Sequence, residues 1–151
     1  LYTEILHQSK NKNSITHIKS IMNKNRIVLL ADDDEDDRII FQQALASVDP
    51  SALFFSSVNG CEALERLDTR GFSPDVIFMD INMPVMNGIH CLKKIKETEN
   101  YKKIPVIMYS AVRSEEIHEE CINLGAAGFI QKPFSMLKMR EEIKNAMDLL
   151  P

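Results

Sequence analysis

Apolar positions along this chain alternate between two spacings. Ile27-Val28-Leu29-Leu30-Ala31 is a continuous apolar run with charged residues at both ends, which predicts a strand covered on both faces. Ile40, Phe41, Ala44, Leu45 and Val48 then recur at the spacing of one helix face, and Asp49-Pro50 stops that helix. The pattern repeats. Leu53-Phe54-Phe55 predicts a weaker strand, and Asn59 caps a helix carrying Ala63, Leu64 and Leu67 that ends before Gly71. Val76 to Met79 predicts a third strand, with Ile89, Leu92 and Ile95 on the helix after it. Ile104 to Tyr109 predicts a fourth, with Pro105 tolerated near its start, and Ile117, Cys121 and Leu124 lie on a helix stopped by Gly125. Gly128-Phe129-Ile130 predicts a short fifth strand, followed by a helix bearing Met136, Met139, Ile143, Met147 and Leu150.

Buried strands strictly alternating with helices imply a parallel sheet, because each right-handed crossover needs a helix. The predicted fold is α/β, a doubly wound five-stranded parallel sheet with five helices, over residues 26–151. Residues 1–25 are rich in Asn, Lys and Ser, with a weak apolar spacing at Ile15, Ile18, Ile21 and Met22, too short to fold alone. They read as a tail or an upstream extension before a start at Met22, with a partner-binding amphipathic helix as the alternative.

Charge narrows the function. Four lysines stand against Glu4 in residues 1–25, leaving 14 basic and 21 acidic residues for the rest. That balance excludes sequence-independent binding to nucleic acid or anionic membranes, which needs clustered Lys and Arg. No apolar run approaches the roughly 18 to 20 residues of a membrane span, and none resembles a signal peptide. A cytoplasmic location is expected. Cys61, Cys91 and Cys121 include no CxxC pair and are odd in number, so buried reduced thiols are expected rather than disulfides or a zinc site.

In doubly wound sheets, ligands bind at the carboxyl ends of the strands. The first strand runs into six consecutive acids, Asp32 to Asp37; the third ends at Asp80, the fourth at Ser110, and the fifth runs through Gln131 into Lys132. The topology therefore predicts three carboxylates (Asp32, Asp33, Asp80), a hydroxyl and an ammonium on one rim. Crowded carboxylates cost stability unless neutralised, and a hard divalent cation suits an all-oxygen site without His or Cys, Mg²⁺ more than Ca²⁺ because the acidic run lacks the EF-hand spacing. Glu35, Asp36 and Asp37 read as a solvated helix start. A metal-bound carboxylate beside a lysine and a hydroxyl suits a phosphoryl group, with Asp80 attacking phosphorus and Lys132 and Ser110 binding its oxygens.

These residues resemble the receiver domains of two-component response regulators, the CheY-like, flavodoxin-like domains. The likeness covers Arg26 to about Leu149. It rests on Asp32-Asp33, on Met79-Asp80-Ile81-Asn82-Met83-Pro84 with Met86-Asn87-Gly88, on Ser110-Ala111, and on Lys132-Pro133-Phe134 after Gly125 to Phe129. The intervals of 30 residues from Asp80 to Ser110 and 22 from Ser110 to Lys132 fit it. The resemblance implies that Asp80 is the phosphoacceptor, Asp33 a direct Mg²⁺ ligand, Asp32 a ligand through water, and the Asn82 carbonyl a further ligand. It implies that Ser110 is the switch hydroxyl, Lys132 the phosphate-pairing lysine, whose bond to Pro133 is often cis in such domains, and Phe129 the switch aromatic, with a simple core phenylalanine as the alternative.

The function expected is a Mg²⁺-dependent switch phosphorylated on Asp80 from a phosphohistidine on a sensor histidine kinase or histidine phosphotransfer protein. Apart from this self-directed phosphotransfer and autodephosphorylation, no enzyme activity is expected. Its output is expected at the surface of the fourth helix, fifth strand and fifth helix, toward a downstream protein or a second copy of the chain, as a stand-alone or excised receiver. The main rival is a Mg²⁺-dependent phosphatase with an aspartate nucleophile, weakened because Asn82 stands where a general acid is needed. A flavin site is a second rival, weakened because acids replace the phosphate loop.

Overall fold

A computed structural model describes residues 25–112 and 114–151. Apart from Asn25, the expected tail and its apolar spacing lie outside these residues. Ten elements alternate as the hydrophobic pattern predicts: β1 (Ile27–Ala31), α1 (Glu35–Val48), β2 (Leu53–Ser57), α2 (Gly60–Asp68), β3 (Val76–Met79), α3 (Gly88–Glu97), β4 (Val106–Ser110), α4 (Glu115–Asn123), β5 (Gly128–Gln131) and α5 (Met136–Asp148). The strands form one sheet in the order β2-β1-β3-β4-β5, and every neighbouring pair is parallel.

Alternate strand residues serve opposite faces. Val28, Leu30, Val76, Phe78, Ile107 and Tyr109 join Phe41, Leu45, Met139 and Ile143 of α1 and α5 on one side. Leu29, Ala31, Ile77, Met79, Val106 and Met108 join Leu67, Leu92, Ile95 and Cys121 of α2, α3 and α4 on the other. This two-sided burial is why β1 and β3 are apolar at every position. The edge strand β2 has less cover, leaving Leu53 exposed and Phe54 and Phe55 half-buried. Phe41 anchors the first layer, edge-on to Phe78 at 4.9 Å and to Tyr109 at 5.4 Å between ring centroids.

Each helix begins on a side-chain cap. Asp34, Asn59, Asn87, Ser114 and Ser135 all accept backbone N–H bonds from the turn they open. At the far end of α4, Gly125 adopts φ +98°, and Ala126 N–H closes on the Cys121 carbonyl at 3.0 Å.

Two boundaries differ from expectation. β4 begins at Val106 rather than Ile104, since Pro105 has no N–H, although its carbonyl accepts from Ile77 N–H at 3.0 Å. Leu150 lies past the end of α5 and is only half-buried. Cys91 and Cys121 are buried free thiols as expected, while Cys61 is half-buried; burial pushes the Cys91 thiol up to about 12. No helix among the described residues is long and apolar enough to cross a membrane.

Candidate functional site

The sheet continues one residue past its strands, and this places the chemistry. Asp80 N–H donates to Ala31 O at 2.8 Å, Asp32 N–H to Ser57 O at 2.9 Å, and Lys132 N–H to Ser110 O at 2.9 Å. Asp32 follows β1 and Asp80 follows β3, the adjacent central strands from which the chain winds in opposite directions. Ser110 closes β4, and Lys132 follows β5. Residues 100 positions apart in the chain thus meet because parallel strands present all their carboxyl ends at one edge.

Carboxylate oxygens of Asp32, Asp33 and Asp80 lie within 4.8 Å of one another. Asp32 and Ser110 are fully buried and Asp80 is 6% exposed, whereas Asp33 is exposed. Lys132 Nζ enters this cluster, 3.1 Å from Asp80 Oδ2 and 2.7 Å from Asp32 Oδ2. Asp80 Oδ1 accepts from Ile81 N–H at 2.7 Å, and Asp32 Oδ1 from Asp34 N–H at 3.0 Å. Arg38 adds a guanidinium bond to the Asp32 carbonyl at 2.8 Å. Ser110 Oγ accepts from Val112 N–H at 3.4 Å.

The electrostatics are unbalanced. Burial raises the Asp32 carboxyl above its ordinary range, and Lys132 only partly counters this. For Lys132, burial works to lower the pKa, but bonds to Asp32 and Asp37 outweigh it and hold the ammonium above the ordinary lysine range. The lysine has several anions and the acids share one cation. Asp32 Oδ2 is moreover fully buried, and its partner is the Lys132 ammonium at 2.7 Å, a cation it shares with Asp37 and Asp80 and with which it makes no well-aligned hydrogen bond. Three carboxylates within 4.8 Å of one another, two of them buried and sharing one ammonium, fit a hard divalent cation.

The loop after β3 is built around Asp80. A Cβ on buried Gly88 would lie 1.9 Å from the Asp80 carbonyl oxygen, so only glycine allows this approach. Val85 bends the loop at φ +66°, with Met86 N–H donating to Pro84 O at 2.7 Å. A β-branched residue is strained there, and Val85 is 83% exposed, so its side chain contributes little packing in return. Val85→Gly is therefore expected to stabilise the domain by about 1 kcal/mol, read as a higher thermal midpoint; a lower midpoint would contradict the strain.

Sequence reasoning placed Asp32, Asp33, Asp80, Ser110 and Lys132 together, and the structure brings them to one rim. It misjudged two points. The Lys132-Pro133 bond is trans, as no cis peptide occurs among the described residues; the flexible lysine stem reaches the pocket from a trans backbone. Asp37 is more than a solvated helix-start residue: its side chain is 38% exposed, but its Oδ2 accepts from Lys132 Nζ at 2.7 Å. A signal for this exists in the sequence: Asp37 stands four residues before Phe41, on the stripe that continues through Ala44, Leu45 and Val48. Asn82 is exposed on the loop two residues past Asp80. Phe129 is half-buried against the α2–α4 layer, its ring edge-on to His118 at 5.7 Å.

Comparison with known proteins agrees with this architecture. The family described as the response regulator receiver domain matches residues 28–144. A protein-glutamate methylesterase/protein-glutamine glutaminase of Clostridium acetobutylicum is 36% identical over 121 residues, covering 77% of this chain and 34% of that protein. The chain thus spans about a third of the length of such relatives. The chemotaxis protein CheY4 of Vibrio cholerae superposes with a TM-score of 0.70 at 29% identity, covering 81% of this chain and 98% of that one. The phosphorylated cyanobacterial phytochrome response regulator RcpA shares the fold, with a TM-score of 0.77 at 23% identity over 84% of this chain and 94% of that one. Neither the phosphatase nor the flavin reading finds support among them. The family match spans well over half of the chain, and on that basis the protein belongs to the receiver domains of response regulators, the family its strand-end residues resemble.

Proposed function

We propose that Asp80 is the phosphoacceptor of this receiver domain and takes its phosphoryl group from a phosphohistidine on a sensor histidine kinase or histidine phosphotransfer protein in the cytoplasm. The observation that carries this reading is the Lys132 ammonium, held 3.1 Å from the Asp80 carboxylate inside a three-acid cluster. An Asp80 oxygen forms a bond to phosphorus as the bond from phosphorus to the donor imidazole breaks, and the imidazole leaves with that electron pair and takes a proton from water. Lys132 pairs with one phosphoryl oxygen and Ser110 donates its hydroxyl proton to another. Asp32, Asp33, Asp80 and the Asn82 carbonyl would hold Mg²⁺, which supplies the positive charge that lets a carboxylate approach a dianionic group.

Movement of Ser110 toward the phosphoryl group vacates space beside β4, into which Phe129 swings, giving up its contact with the His118 ring. The consequence is a repacked surface on α4, β5 and α5, the face offered to a downstream protein or a second copy of the chain. Phe134 and Leu137, both strongly exposed, border that face and support its role.

Incubation with Mg²⁺ and a small phosphodonor tests the reading. One acid-stable, hydroxylamine-labile phosphate per chain is expected. Continuous release of inorganic phosphate without a labelled protein would refute it. Asp33→Ala is expected to weaken Mg²⁺ binding roughly tenfold or more while raising the melting temperature of the metal-free protein, because a like charge leaves the cluster. A lower metal-free melting temperature would count against the crowding argument.

A further inference from the structure

Asp37 is a carboxylate at the pocket to which the mechanism above gives no role. It stands in the first turn of α1, half-buried where Glu35 and Asp36 beside it are exposed. Lys132 Nζ donates to Asp37 Oδ2 at 2.7 Å and to Asp80 Oδ2 at 3.1 Å. An ammonium has three donors. Two are directed at Asp37 and Asp80, and Asp32 Oδ2 crowds the same nitrogen at 2.7 Å. On another side the Tyr109 ring lies beneath it, 5.4 Å from nitrogen to centroid. The lysine is surrounded by partners before any phosphoryl group arrives.

The geometry points to Asp37 as a positioning residue that holds Lys132 in the unphosphorylated domain and slows phosphoryl acceptance at Asp80. This inference rests on the phosphoacceptor reading and deepens it. A phosphoryl group on Asp80 brings further oxygens and close to two negative charges, and Lys132 must turn a donor toward them. Asp37 opposes that step twice: its ion pair with Lys132 has to be stretched or broken, and its own charge repels the incoming dianion. Both effects have the same sign, so removal of the side chain speeds acceptance.

The plainer role for Asp37 is favourable charge at a helix N-terminus. Glu35 and Asp36 already serve there, and neither forms an ion pair with Lys132 among the described residues. Capping predicts a change in stability alone. The pairing predicts a change in rate.

The test compares wild type, Asp37→Ala and Asp37→Glu for phosphorylation by a small phosphodonor at saturating Mg²⁺, where metal affinity does not limit the rate. Asp37→Ala is expected to react about three- to tenfold faster, and Asp37→Glu, which keeps the carboxylate, to stay closer to wild type. An unchanged or slower rate for Asp37→Ala overturns the inference. A second measurement does not depend on phosphorylation. In the metal-free protein, Asp37→Ala should raise the melting temperature more in a Lys132→Met background than in wild type, because there the acid has lost its cation. Equal shifts in both backgrounds overturn the pairing. Wild-type protein that takes up no phosphate would refute the phosphoacceptor reading itself, and the melting comparison would still judge the pairing.

Discussion

Asp80→Asn is expected to leave no hydroxylamine-labile phosphate on the protein, a fall in labelling rate on the order of a thousandfold or more. A neutral amide oxygen is a poor nucleophile toward phosphorus and offers a divalent cation no charge. The fold should survive. Asparagine matches aspartate in volume and keeps an acceptor for Ile81 N–H, bonded at 2.7 Å in the wild type. Lys132 retains Asp32 and Asp37 as partners, so the change leaves no buried cation unpaired, and stability should move by no more than about 1 kcal/mol. The check is labelling by a small phosphodonor beside a melting curve. Continued labelling at wild-type stoichiometry would remove Asp80 from its role, whereas lost labelling with a collapsed melting curve would show a folding defect instead.

Gly88→Ala should have the largest effect on stability, about 3 kcal/mol, or a fall of roughly 6 to 12 °C in melting temperature for a domain of this size. The added methyl would stand 1.9 Å from the Asp80 carbonyl oxygen and 2.8 Å from its carbon. Those atoms are backbone, so no side-chain rotation relieves the clash. Gly88 N–H also bonds Ile81 O at 2.9 Å and opens α3, which ties any shift of the helix start to the loop that carries Asp80. Phosphorylation should therefore slow as well, because the acceptor moves relative to Lys132. A melting temperature within about 2 °C of wild type would show that the loop yields more easily than this packing implies.

Much of this was readable from residue order alone, for a specific physical reason. Parallel strands buried on both faces must be apolar at consecutive positions, so Val28 to Ala31 and Val76 to Met79 stand out without any tertiary knowledge. Once the strands alternate with helices, all carboxyl ends share one edge, and Asp32, Asp80, Ser110 and Lys132 are drawn together by topology. Edge elements were less legible. Leu53 to Phe55 read weakly because β2 has a neighbour on one side only, and the start of β4 was misplaced because Pro105 carries a carbonyl into the ladder but no N–H.

What residue order determined, then, is the alternation of elements, the edge at which the chemistry gathers, and the candidate residues at that edge, since these follow from periodicity and chain direction. Tertiary structure alone decided that Asp37 joins Asp32 on the lysine, that the Lys132-Pro133 bond is trans, and that Gly88 is required by contact rather than by backbone angle. Each of these depends on the distance between atoms from different elements. Glu35, Asp36 and Asp37 read alike in sequence until the helix fixes which of them turns inward.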